Sequence, residues 1–272
     1  MLTQPLAEHE ILAASKSLPA APQIMSRLHT MLTDVNSGLS EIAALLRRDA
    51  ALTARILSIA NSPAYGVAGG IGSIEEALQR VGFGEVFRLV GVVANQSLSN
   101  QLRSYGWPAA QVCAHNLFSA LVAEATARRV GVDRRLAYTA GLLGTIGMVL
   151  LDRAGGGSVR EYETYLESGH GDLLTWENNT YGFTHHQINA VLFKFWGFPE
   201  PIIAAATDDS TALGRVLRLS SGLVHAAGHG LPQSGGSCGP TSEDLAVNGL
   251  KMDDAQAISE EALNAYRNLS AL

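Results

Sequence analysis

Charge is scarce in this chain. Asp, Glu, Lys and Arg make up 16% of its 272 residues, while hydrophobic residues make up 47%. That balance belongs to a globular chain, long enough for one large domain or two small ones. No stretch of 18 or more uninterrupted apolar residues occurs, so a membrane span is not expected. The first ten residues, MLTQPLAEHE, have no basic stretch followed by an apolar one, and no secretory signal is expected either. Cysteine is nearly missing: Cys113 and Cys238 stand far apart and outside any CxxC spacing. This points to a reduced, cytoplasmic protein without a disulfide framework. The net charge of −6 argues against a nucleic-acid partner, which needs clustered Lys and Arg. The pairs Arg47-Arg48, Arg128-Arg129 and Arg134-Arg135 are too short for that and read as solvated helix faces.

What the chain has in abundance is helical periodicity. In LSEIAALLRRD, Leu39, Ile42, Leu45 and Leu46 recur at three- and four-residue spacing, with Ser40 as N-cap. Asp49 caps the next helix, which buries Leu52, Ile56 and Ile59 and stops at Asn61-Ser62-Pro63. Ser73 and Glu76 form a capping box before IEEALQRVG. Residues 84–103 read as a helix apolar on nearly all sides, hence a central one. Pro108 opens a helix that ends at Gly131, and Asp133 starts another running through GLLGTIGMVLLD. Further helices follow in SVREYETYLES, DLLTWENNTYG, THHQINAVLFKFWG and STALGRVLRLSSGLVHAAGHG. LPQSGGSCGPTSED reads as a turn-rich loop, and MDDAQAISEEALNAYRNLSAL as a closing amphipathic helix through Ile258, Ala262, Tyr266 and Leu269. No strand alternation appears, so an all-α fold is expected. The turn SYGWPA divides it into an N-terminal helical subdomain, 1–105, and a second subdomain, 106–272.

Common catalytic motifs are also missing. Gly155-Gly156-Gly157 has no Lys-Ser/Thr sequel and no strand before it, so it reads as a turn. Gly69-Gly70 and Gly72 read as a tight connection between helices. There is no G-x-S-x-G elbow to hold a serine nucleophile.

Taken in order and spacing, Leu18-Pro19, Arg48-Asp49 to Leu52, Ala60-Asn61-Ser62, Tyr65-Gly66 and Ile74 to Gly82 resemble the amino-terminal half of HDOD domains. These are HD-related output domains of bacterial signalling proteins. The resemblance runs from about residue 16 to 228. HNLFSALVAEATA is similar to the helix bearing the first histidine of HD proteins, at His115. GLLGTIGMVLLD is similar to the helix that reads G-L-L-H-D-I-G in many relatives. Glu177, Gly182, His185, Trp196 and Pro199 fit the later family pattern.

The departures bear on function. HD phosphohydrolases hold divalent metal with a histidine, a His-Asp pair and a later aspartate, and the metal activates a water. Carried onto this chain, only His115 keeps a ligand. Gly144 and Thr145 stand where His-Asp is expected, and Ser221 falls near the late aspartate. A replacement metal set from His115, Asp152, His185, His186, Asp208 and Asp209 is not favoured. Neighbouring histidines face about 100° apart on a helix, Cys113 and His115 face different sides, and Asp208-Asp209 reads as a helix cap. His115 reads as a semi-buried core histidine, Glu177 and His185 as a structural acid–imidazole pair, and Trp196 and Phe198 as packing anchors. His115, Glu177 and His185 together form a candidate polar or ligand cluster.

The resemblance therefore implies a degenerate HD-like pseudoenzyme with no catalytic residues, metal or cofactor. It would be a stand-alone bacterial regulatory protein working through other signalling proteins or a small ligand such as a cyclic dinucleotide, and a homodimer is open. The alternative is a metal-dependent phosphohydrolase, a nucleotide or cyclic-dinucleotide phosphodiesterase with an altered ligand set.

Overall fold

The capping residues mark out the helices. The computed structural model describes residues 8–16, 18–65, 69–98, 102–154, 157–168, 172–231 and 239–270. Within them the chain forms α1 (Glu8–Ser15), α2 (Ala21–Thr33), α3 (Leu39–Arg47), α4 (Ala50–Ala60), α5 (Ile74–Arg80), α6 (Phe83–Leu98), α7 (Ala109–Val130) and α8 (Arg134–Leu142). It continues through α9 (Ile146–Ala154), α10 (Val159–Glu167), α11 (Leu173–Tyr181), α12 (His185–Phe195), α13 (Glu200–Ala205), α14 (Ala212–Ala226), α15 (Ser242–Val247) and α16 (Met252–Ser270). Among the described residues there is no strand, only an isolated bridge between Leu102 and Trp107. The fold is all-α, and no helix in this part is long and apolar enough to cross a membrane.

Asp49, Ser73 and Asp133 each accept from the first turn of their helices, as their spacing predicts. Gly131 ends α7 at φ +75°. Two caps fall elsewhere than expected. Gly38, not Ser40, precedes α3, and Glu41 reaches back to its N–H. Thr211, not Asp208-Asp209, caps α14 through the N–H of Gly214. In the expected loop, residues 232–238 lie outside the described part. Its last residues are ordered by Thr241, whose hydroxyl caps α15.

Helices α2 to α6 pack on one another, and α6 sets them against α7 and α8. The 22-residue α7 forms the axis of the remainder, with α8, α14 and α16 laid along it. Helix α9 packs on α12, and α12 leads through α13 to α14. The first helix crosses over, since α1 packs on α9 and α12 rather than on its sequence neighbours. One continuous apolar core runs through both groups of helices.

GLLGTIGMVLLD is not a single helix. Helix α8 ends at Leu142, residues 143–145 turn, and α9 begins at Ile146. The cause is Asn189 on α12, a residue distant in sequence. Its side-chain oxygen accepts the Gly147 N–H at 2.8 Å, a first-turn donor with no partner inside α9. Its amide donates to the Gly144 carbonyl at 2.7 Å. The approach of α9 to α12 also requires glycine at 147. A Cβ there would lie 2.4 Å from the His185 carbonyl oxygen and 2.8 Å from Asn189 Oδ1.

Candidate functional site

Around this broken helix α7, α8, α9, α12, α13 and α14 line a cleft of about 280 Å³ that opens to solvent. His115, Gly144, Thr145 and Ser221, from three separate parts of the chain, all line it, together with His185. Ser119, His186, Asn189, Asp209, Arg218, Ser220 and His225 contribute the rest of its polar lining, and Met148, Phe193, Ile202, Leu217 and Leu231 are among its apolar groups.

His115 sits at the middle of α7. Its Nδ1–H donates to the His229 carbonyl at 2.9 Å, which fixes the tautomer and leaves Nε2 as a lone pair. The Ser119 hydroxyl lies 3.5 Å from Nε2, at the outer limit of a hydrogen bond. Burial lowers the His115 pKa to about 4, so the ring is neutral near pH 7. Burial, aided by the neighbouring His185, takes His186 to about 3.

At Gly144 and Thr145 the cleft wall is neutral. The Thr145 hydroxyl donates to Asn116 Oδ1 at 3.0 Å, with both residues buried. Gly144 leaves its place open rather than blocked, because a Cβ would meet only two carbonyl oxygens, both at 3.5 Å.

Glu177 is fully buried on α11, directly behind His185. Its Oε2 accepts both the backbone N–H of His185 at 2.8 Å and the ring Nδ1–H at 2.7 Å. Its Oε1 accepts the Tyr105 hydroxyl at 2.8 Å. Three donors offset the cost of burying a carboxylate. Tyr105 belongs to a 3-10 turn, Arg103–Tyr105, and packs among Trp107, Tyr162 and Trp176. Asp152, at the far end of α9, accepts the Ser104 N–H of the same turn at 2.6 Å.

The three-member cluster of His115, Glu177 and His185 is thus divided. His185 joins Glu177, whereas His115 bonds to a different segment and shares only the cleft with them. The larger set divides as well. Asp152 is at the 3-10 turn, and Asp208 accepts the Ser210 N–H at 2.8 Å in the turn before α14. Cys113 faces α6, where Asn95 donates to its carbonyl and sulfur. Among the described residues, no three His, Cys, Asp or Glu side chains come together as a metal site would require. The donors present do not fit the divalent metal of HD enzymes. Trp196 and Phe198 are buried, and Phe198 packs on Phe193 with ring centroids 5.5 Å apart.

Asn116, Asn189, Ser119 and Ser220 were not marked out by the sequence. Asparagine and serine recur at caps and turns along the whole chain, and only the fold shows which of them face a cleft.

A helical fold with an axial helix, a broken partner and a cleft between them defines an HD-like class of protein. The HDOD domain family model matches residues 18–211, and the chain belongs to that family. A Marinobacter aquaeolei VT8 protein described as acting in signal transduction has a similar structure, with a TM-score of 0.71 at 23% identity over 100% of this chain. The chain spans 61% of that protein's length. An HDOD domain protein of unknown function from Geobacter sulfurreducens is similar at TM-score 0.64 and 22% identity, over 97% of this chain and 91% of its own. A Shewanella amazonensis SB2B protein described as a phosphohydrolase is similar at 0.65 and 19%, over 95% and 97%. At such identities the likeness is one of fold. No curated protein matches the chain.

Proposed function

We propose that the protein is a non-catalytic regulatory module of signal transduction, acting by binding protein partners or a small signalling ligand. The observation that carries this reading is the cleft wall at Gly144 and Thr145. One position has no side chain, and the other is a hydroxyl engaged by Asn116. With Ser221 at the third position, His115 alone retains a ligand of the HD type. A bacterial, cytoplasmic setting and a symmetric homodimer accompany this proposal, on the strength of the family and of general oligomer statistics.

A phosphohydrolase with an altered ligand set is the second reading, favoured by the presence of His115, His185, His186 and Asp209 on one cleft. Elemental mass spectrometry on untagged protein, dialysed into metal-free buffer, separates the two. The regulatory reading expects metal near zero per chain in both the parent and His115→Ala. About one metal per chain, lost in His115→Ala, would overturn it and favour the enzyme.

A further inference from the structure

Away from the cleft, α2 and α3 pack together and leave a groove along their outer side. Ala20 and Gln23, at the start of α2, share one hollow of it with Arg48, Asp49 and Ala50. Thr30 and Met31, near the end of α2, share the next with Glu41 and Ala44. The two helices are therefore antiparallel. Arg27, Leu45 and Arg48 border both hollows, of about 360 and 630 Å³, and mark where they meet. Trp196 and Gly197, from the turn after α12, close the second one.

Helical spacing builds the rims. Gln23, Arg27 and Thr30 stand along one side of α2, and Glu41, Ala44 and Arg48 along α3 and its C-cap, all exposed. Ile24 and Leu45 lie between them as an apolar floor, continued by the half-buried Met31. An apolar floor between two polar rims is the form of surface on which an amphipathic helix lies.

Charge is laid along the groove in a pattern. Its acids are at the two ends. Asp49 accepts the Leu52 N–H at 2.9 Å, and Glu41 accepts the Gly38 N–H at 3.3 Å. Both serve helix starts, and among the described residues neither is paired with an arginine. The cations are at the middle. The Arg27 and Arg48 side chains have no hydrogen bond or ion pair among the described residues, whereas Arg47 is paired with Glu75. The formal charges of the lining balance, so a uniformly acidic partner would meet Glu41 and Asp49 at its ends. Carboxylates confined to the middle meet the two guanidinium forks, which bind them bidentately. From Ala20 to Met31, α2 rises about 16 Å, or about three turns.

We propose that this groove docks an amphipathic helix of another protein, about three turns long, apolar on its buried face and carrying carboxylates at its middle. The inference deepens the protein-binding side of the function proposed above. It makes no use of the cleft, so the metal measurement and this one fail separately.

The test is a displayed library of helical peptides of about 12 residues, selected on the whole chain. Leucine is fixed at every third or fourth position, and the flanking positions are randomised. The expected result is enrichment of Asp or Glu at the central flanking positions and not at the ends. By fluorescence anisotropy, the enriched peptide loses affinity about tenfold or more in Arg27→Ala and in Arg48→Ala. Arg160→Ala, which removes an exposed arginine from α10, leaves binding unchanged. All three side chains are exposed, and an unchanged Tm checks that each variant folds. Enrichment without central acids, binding indifferent to both groove arginines, or no enrichment at all overturns the inference. Self-association of the parent that is lost in Arg27→Ala, followed by sedimentation velocity, assigns the groove to a second copy and overturns it as well.

Discussion

Two polar clusters of this protein are built from similar residues and finished in opposite ways. At the meeting of α6, α7 and α8, Arg88 pairs with both oxygens of Glu124 at 2.9 and 3.0 Å and with Glu85 at 2.9 Å. Tyr65 donates to the other Glu85 oxygen at 2.7 Å, and Tyr138 donates to the Arg88 carbonyl at 3.1 Å. Every carboxylate oxygen there has a donor. The cleft also holds ionisable groups between packed helices, yet the second nitrogen of His115 has only the Ser119 hydroxyl, 3.5 Å away, beside it. A closed network fixes helices in place. A buried group left without a partner is costly unless water or a ligand completes it.

The back wall of the cleft is where closure matters most. Glu177→Gln removes one acceptor and turns an amide donor towards Tyr105 or His185. The expected loss is about 3–4 kcal/mol, a fall in Tm of about 6–16 °C by calorimetry. Such a loss would place this wall with the closed cluster; a change under about 1 kcal/mol would break that assignment.

Next in size is a pH effect. Folded His115 has a pKa near 4, below the ordinary 6.5, so the unfolded chain takes up a proton first as pH falls. Its contribution is fully present above about 6.5 and is lost on acidification towards 4, up to about 3 kcal/mol. Urea unfolding of the parent and of His115→Gln between these limits isolates it, because the variant lacks that part of the slope.

A smaller effect is expected from opening the closed cluster. Glu124→Gln leaves Arg88 with Glu85 and with a side chain 31% exposed, so the cost is about 2 kcal/mol in denaturant unfolding. The smallest change is Gly144→Ala, within about 1 kcal/mol of the parent, since the added methyl makes only ordinary contacts. Measured beside it, Gly147→Ala sharpens the comparison between an open position and a filled one.

The helices and most of their caps were legible because they depend on nearby residues. Asp49, Ser73, Asp133 and Gly131 act within a turn of their own positions. The break at residues 143–145 was not legible, because its cause, Asn189, lies 42 residues beyond Gly147. For the candidate site, the positions on the cleft could be read through the family resemblance. Their pairing could not: His115 bonds to a carbonyl 114 residues away, which no spacing rule reports. The fold and the family were legible, and the valences of the cleft were not.

Glu177 Oε2 has a mechanical consequence. Because one oxygen holds both the main chain and the ring of His185, the first turn of α12 and the side chain it presents to the cleft share a single anchor. The imidazole therefore has no independent swing: turning it means unseating the head of a helix, and the other oxygen ties the same anchor to Tyr105. Any force that moves this ring is borne by the backbone, and a load on the Tyr105 turn returns along the same path.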